Sequence, residues 1–154
     1  MTNAKRPVVN QQMLIRKPAA DVYNALIDPA QTTHFWFTRG SGPLQPGAVV
    51  TWEWEMYGVS AQVRVRDLQP NRRILIEWQD PPHPVEFTLD ERPDGTTLVK
   101  ITVQGFDGSD DEAVAAALDS MGGFTFLLSA MKAWLEHGVE LNVVADHFPD
   151  HHVA

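Results

Sequence analysis

SMGGFTFLLSAMKAWLEHG, Ser120 to Gly138, carries the strongest helical pattern in the chain. Phe124, Leu127, Leu128, Met131, Trp134 and Leu135 fall at i, i+3, i+4, i+7, i+10 and i+11, which is one face of an α-helix. Lys132 and Glu136 sit on the opposite face at the i,i+4 spacing of an ion pair. Gly138 stands where a left-handed residue stops a helix, and His137 lies against the negative end of the dipole. From Phe124 to His137 the helix spans about 20 Å at roughly 1.5 Å per residue. An apolar face of that length has to be buried, so the rest of the chain is read as the surface that receives it.

At 154 residues the chain is expected to form one domain, with a core from about residue 7 to 138 and an extension from 139 to 154. An apolar content of 44% suffices for a real core, and no run reads as long enough to span a membrane. MTNAKRPVVN has no signal-peptide core, and there is no cysteine, so the expected location is the cytoplasm. A net charge of −8 with scattered Lys and Arg argues against binding to a nucleic-acid backbone.

Upstream of the helix the periodicity is that of strands. A first strand is read over Pro7–Lys17, then a short helix over PAADVYNALID, closed by Asp28-Pro29. PAQTTHFWF reads as a second short helix and RGSGPLQPG as a loop. From Gly47 apolar residues alternate: Val50, Trp52, Trp54, Met56; then Val59, Ala61, Val63, Val65. Ile74, Ile76 and Trp78 make a fourth strand, ended by Asp80 to Pro84; Val85, Phe87 and Leu89 a fifth; Val99, Ile101 and Val103 a sixth. Glu53 and Glu55 are read as pairing across strands with Arg64 and Arg66. Gly122-Gly123 is read as weakening or bending the helical stretch that begins near Asp111. The sum is an α+β fold: a six-stranded antiparallel sheet gripping a long C-terminal helix, with two short helices after strand one.

Several stretches carry a family resemblance. KPAADVYNALIDPAQTTHFW after a first strand, Trp36-Phe37, the Gly-led aromatic strand Gly47–Trp54, Arg73-Ile74 to Trp78, and Gly123-Phe124 through Lys132 to Glu136 stand in one order. Together they resemble the SRPBCC superfamily with its helix-grip, START-like fold. Within it they are most similar to the AHSA1-like group related to the C-terminal domain of the Hsp90 ATPase activator Aha1. Phe124 stands where that group usually has Trp. The resemblance implies the fold and a cavity between sheet and helix; these motifs are mostly packing residues and do not name an activity.

The candidate ligand-binding residues are Trp36, Trp52, Trp54 and Trp78 with Phe87, Phe124, Leu127 and Met131. They are read as lining a hydrophobic cavity for a small apolar or aromatic molecule; the competing reading is that they fill the core. His34 and Arg39 flank Trp36 and are the candidate polar contacts at its mouth. Glu53 and Glu55 share one strand face and are read as pointing away from the cavity. His137, His147, His151 and His152 match no metal spacing, and no cofactor motif or nucleophile motif is present. The first reading is therefore ligand binding without catalysis. The alternatives are a chaperone-interaction module of the Hsp90 kind and a cyclase- or hydrolase-like enzyme using the same cavity. Val139, Leu141, Val143, Val144 and Phe148 make the extension too apolar for a solvated tail, so it is expected to cover the sheet edge or to meet a second subunit as a homodimer.

Overall fold

The computed structural model describes residues 6–79 and 82–153; Asp80 and Pro81, assigned above to the end of the fourth strand, lie outside the described residues, as do 1–5 and 154. Strand β1, Val9–Ile15, turns Val9 and Ile15 inward. Helix α1, Ala19–Ile27, starts after extended Pro18 and stops at Asp28, because Pro29 follows. Asp28 then caps α2, Pro29–Thr32, accepting from the Ala30 N–H at 3.0 Å. The buried Thr32 hydroxyl donates to the Ala25 carbonyl at 2.6 Å and ties the two short helices together. The second helix thus ends earlier than its sequence suggests, and Phe35, Trp36 and Phe37 follow as a buried turn.

The sheet has seven strands, not six. The addition is β2, Arg39–Gly40, within the stretch read as a loop. Two residues are too few to show a period of two. Gly40 is needed there, since a Cβ would stand 3.0 Å from the Phe37 ring and 3.1 Å from Pro29. The remaining strands are β3 Val49–Trp54, β4 Val59–Gln69, β5 Arg73–Trp78, β6 His83–Glu91 and β7 Thr97–Val103. Their order is β1-β7-β6-β5-β4-β3-β2 and every pairing is antiparallel. The apolar parity holds: Trp52, Val63, Ile76, Phe87 and Ile101 are all buried on one face. On the other face the pairings differ from those expected. Arg66 meets Glu77 at 2.6 Å, Arg73 meets Glu86 at 2.6 Å, and Glu53 faces Arg39 at 3.7 Å.

Helix α3, Asp110–His137, is one element of 28 residues that runs through Gly122-Gly123. Two helical glycines cost roughly 1 kcal/mol each relative to Ala. A capping box between Ser109 and Glu112, with Asp110 and Asp111 in the first turn, works against that cost. Because the glycines do not break it, the helix holds an 18-residue window of mean hydropathy 1.4, long and apolar enough by composition to cross a membrane. In the fold the second half of α3 covers the sheet, with Phe124, Leu127, Leu128 and Met131 at most 2% exposed. The outer side of the first half leaves Val114, Leu118 and Met121 exposed.

Lys132 and Glu136 are not on a solvated face. They seal the free edge of β1. The Lys132 ammonium donates to the Leu14 carbonyl at 2.8 Å and to Glu136 at 2.7 Å. The Arg16 N–H donates to the same carboxylate at 2.9 Å. Unpaired edge groups are thereby matched by helix side chains.

The extension folds back across the outer flank of α3. It forms α4, Val143–Asp146, and a 3-10 turn, Pro149–His151. The Tyr57 hydroxyl donates to the carbonyls of Val144 and Ala145, and the Val153 N–H donates to the Met56 carbonyl at 2.8 Å. The His147 ring lies 4.8 Å from Phe126, and His152 lies 5.4 Å from Tyr57.

Two outcomes follow from these edges. Burial raises the pKa of Glu136, but the Arg16 N–H and Lys132 outweigh it and hold the carboxyl below its ordinary value. Such a group stabilises the fold above its unfolded pKa, about 4.3 for Glu, and that contribution is lost as pH falls through the folded pKa. Glu136→Gln should cost about 1–3 kcal/mol at neutral pH and shrink the stability lost between about pH 5 and pH 3 in urea melts. An acid limb parallel to that of the wild type would show that the contact contributes nothing. Truncation after Gly138 should remove about 2 kcal/mol, or roughly 4–8 °C in melting temperature; an unchanged melt would mean that the extension only rests on the surface.

Candidate functional site

Antiparallel pairing brings the ends of β3, β5 and β7 to the same end of the sheet as the starts of β4 and β6. Trp54, Val59, Trp78, His83 and Val103 therefore stand on the inner face toward that end, staggered by the register. The middle of α3, from Ala116 to Phe126, passes over them. The buried turn after α2 inserts Trp36 between the two.

Trp36 is the hub. Its ring centroid lies 4.9 Å from Trp52, 5.9 Å from Trp54, 5.6 Å from Trp78 and 5.6 Å from Phe124. The planes are tilted or edge-on at 52–73°, the arrangements aromatic quadrupoles favour. Phe124 reaches down from the helix to within 5.6 Å of Trp78 and 6.4 Å of Phe87.

Two hollows open on either side of this hub. The first, about 190 Å³, lies between the Trp36, Trp78 and Phe124 rings and Phe106, with Asp119, Ser120 and Gly123 above and Gln79 and His83 at the side. The second, about 300 Å³, lies between Trp54, Tyr57 and Ala61 below and Gly123 and Phe126 above, and is bordered by Val144 and His147 of the extension. Trp36, Trp78, Gln79 and Gly123 border both, so the two are lobes of one groove. A Cβ on Gly123 would meet nothing within 4 Å. Gln79 sits at φ 69°, a left-handed conformation that few non-glycine residues adopt, at the junction of the lobes. A wider hollow of about 730 Å³ lies beside α1 and α2; its wall is mixed, with the charged Lys17, Asp21 and Asp28 beside Ile27 and Leu135, and no aromatic ring.

The predicted residues divide between wall and core. Trp36, Trp54, Trp78 and Phe124 border the groove. Trp52 and Phe87, each 2% exposed, and Leu127 and Met131, each 0% exposed, lie in the packed core beneath it. Trp52 stacks on Phe37 at 4.7 Å. His34 is turned elsewhere: it stacks on Trp134 at 3.9 Å and pairs with Glu140. Arg39, its side chain 73% exposed, meets Glu53 on the outer face. The polar groups that border the groove are instead Tyr57, Gln79, His83, Asp119, Ser120 and His147, with Ser60 at the start of β4.

These polar groups come from turns, from a helix position outside the apolar stripe, and from a segment 90 residues beyond Tyr57, so period and motif could not find them. Burial pushes the Tyr57 phenol up, as does Asp146, so the hydroxyl stays a donor toward the extension. The His83 ring packs on Phe106 at 5.2 Å, and its Nδ1 lies 3.3 Å from the Gln104 carbonyl. Among the described residues no group of three or more acidic or histidine side chains is arranged to hold a metal.

The comparisons agree with this architecture. The fold is similar to that of protein SSP2350 from Staphylococcus saprophyticus, with 28% identity, TM-score 0.76, 88% of this chain covered and 96% of that one. It is similar to MLL2253 from Mesorhizobium loti, with 20% identity, TM-score 0.75, and 86% and 99% covered. It is also similar to Aha1 from Colwellia psychrerythraea, which is a dimer in solution, with 21% identity, TM-score 0.69, and 86% and 98% covered. Comparison with curated proteins gives no match. Residues 16–136 match the family described as Activator of Hsp90 ATPase homolog 1-like protein, a range that begins just after β1 and takes in β2 to β7 and nearly all of α3. The chain belongs to that AHSA1 family, with its START-like fold.

Proposed function

We propose that this protein binds a small hydrophobic or aromatic molecule in the groove between the end of the sheet and the middle of α3. The observation that carries this reading is the aromatic wall: Trp36, Trp54, Trp78 and Phe124 border the two lobes, whose combined wall is mostly apolar. Beside them α3 presents the exposed backbone of Gly123 and no side chain. Apolar walls with a few polar groups at the sides are the usual composition of small-molecule sites. A flat ring can lie across the junction of the lobes, against the Trp78 and Phe124 faces. The reading is preferred over chaperone contact and over catalysis because it accounts for four aromatic rings gathered along the walls of both lobes.

Two glycine variants test it. Gly122 borders neither lobe, and a Cβ there also meets open space. Gly122→Ala and Gly123→Leu should each stabilise the helix by up to about 1 kcal/mol. Gly123→Leu alone should weaken binding of the neutral dye N-phenylnaphthylamine by about tenfold or more. Dye that binds neither the wild type nor Gly122→Ala, or that binds all three proteins equally, would refute the groove as the binding site.

A further inference from the structure

We infer that the ligand carries a positive charge, as an amine or ammonium group attached to its apolar body, and that Asp119 receives it. The inference rests on the groove-binding reading and specifies the chemical class of its ligand. Among the described residues that border the two lobes there is no Lys and no Arg; the one formally charged side chain is the Asp119 carboxylate. Asp119 forms no ion pair among the described residues. It stands exposed on α3 at the border of the first lobe, beside Ser120, and the rings of Trp36, Trp78 and Phe124 border the same lobe. A cation held there meets a carboxylate and the electron-rich faces of indole and phenyl rings. An anion in the same lobe would meet that carboxylate and those same faces, with no cation to balance it.

The wider field has the same sign. The net charge of the chain is −8, and α3 opens on Asp110, Asp111 and Glu112. A negative potential of that kind draws cations toward a cleft and repels anions. Lys132, on the same helix as Asp119, is turned away to the β1 edge and is engaged by Glu136.

The test displaces bound N-phenylnaphthylamine with three compounds that share one ring system: naphthylmethylammonium, naphthylmethanol and naphthoate. The ammonium compound should bind the wild type about tenfold more tightly than the alcohol, and naphthoate the most weakly. Asp119→Asn should bring the ammonium compound down to the affinity of the alcohol. Asp111→Asn removes the same net charge at the start of α3, away from the lobes, and should preserve the ranking. Circular dichroism confirms that both variants fold. Equal affinities, a preference for naphthoate, or a ranking that survives Asp119→Asn would overturn the charge inference while leaving the apolar groove intact. Loss of the ranking in Asp111→Asn as well would assign the preference to the general field and overturn the role of Asp119. Failure of the dye to bind at all would remove the groove-binding reading and this inference with it.

Discussion

The contact of Phe124 with Trp36 and Trp78 sets how closely α3 can settle on the sheet. Below that point the helix is in full van der Waals contact: Leu127, Leu128 and Met131 are sealed against strand residues of the inner face. Above it Ala113 and Ala117 stay buried, but along the flank that carries Ala116, Asp119, Ser120 and Gly123 the space opens. One aromatic layer thus divides a packed core from a groove. The division explains why a set of residues that looks continuous in sequence has two roles. The half nearer the helix C-terminus supplies stability, and the half nearer Gly123 supplies a wall.

Holding that geometry requires both long edges of the assembly to be closed. At the β1 edge, Lys132 and Glu136 pair with main-chain groups of Leu14 and Arg16 and stop the second half of α3 from sliding. On the opposite flank the extension is tied to the turn between β3 and β4 through Tyr57 and Met56. The Lys132 and Glu136 contacts lie outside the groove, whereas Tyr57 and Val144 border its second lobe, so that tie bears directly on the distance between the walls. A helix interior that accepts two glycines in succession needs such restraint, because each adds backbone freedom that the remaining contacts must overcome.

Much of this was legible in the sequence. Alternation from Val50 to Trp54, and again through Val63, Ile76, Phe87 and Ile101, gave the inner face, since the side-chain period of a strand is fixed by the backbone. The long helix and its stop at Gly138 were also legible, because the apolar spacing and the left-handed terminator are local signals. What was missed had no local signal. Arg39–Gly40 is too short to show a strand period, and its glycine reports a close approach to Phe37 that only the folded chain makes. Gly122-Gly123 reads as a weak or bent point because propensity is local, whereas helix continuity there is supported by the tertiary contacts of Phe124. His34 and Arg39 were drawn toward the groove by their nearness to Trp36 in sequence. Their partners, Trp134 with Glu140 and Glu53, lie far along the chain and turn them outward.

The central claim is that the open half of the aromatic layer, rather than the closed half, receives a ligand. The five tryptophans report on it most directly, because each indole N–H gives its own NMR signal. Trp36, Trp54 and Trp78 border the groove. Trp134 is remote from it, its indole N–H donating to the Gln31 side-chain carbonyl at 3.0 Å. On titration with naphthylmethanol, the account predicts shifts at Trp36, Trp54 and Trp78 that saturate together, with Trp134 unmoved. Signals that do not move at high ligand concentration, or that move at Trp134 as much as at the other three, would contradict it.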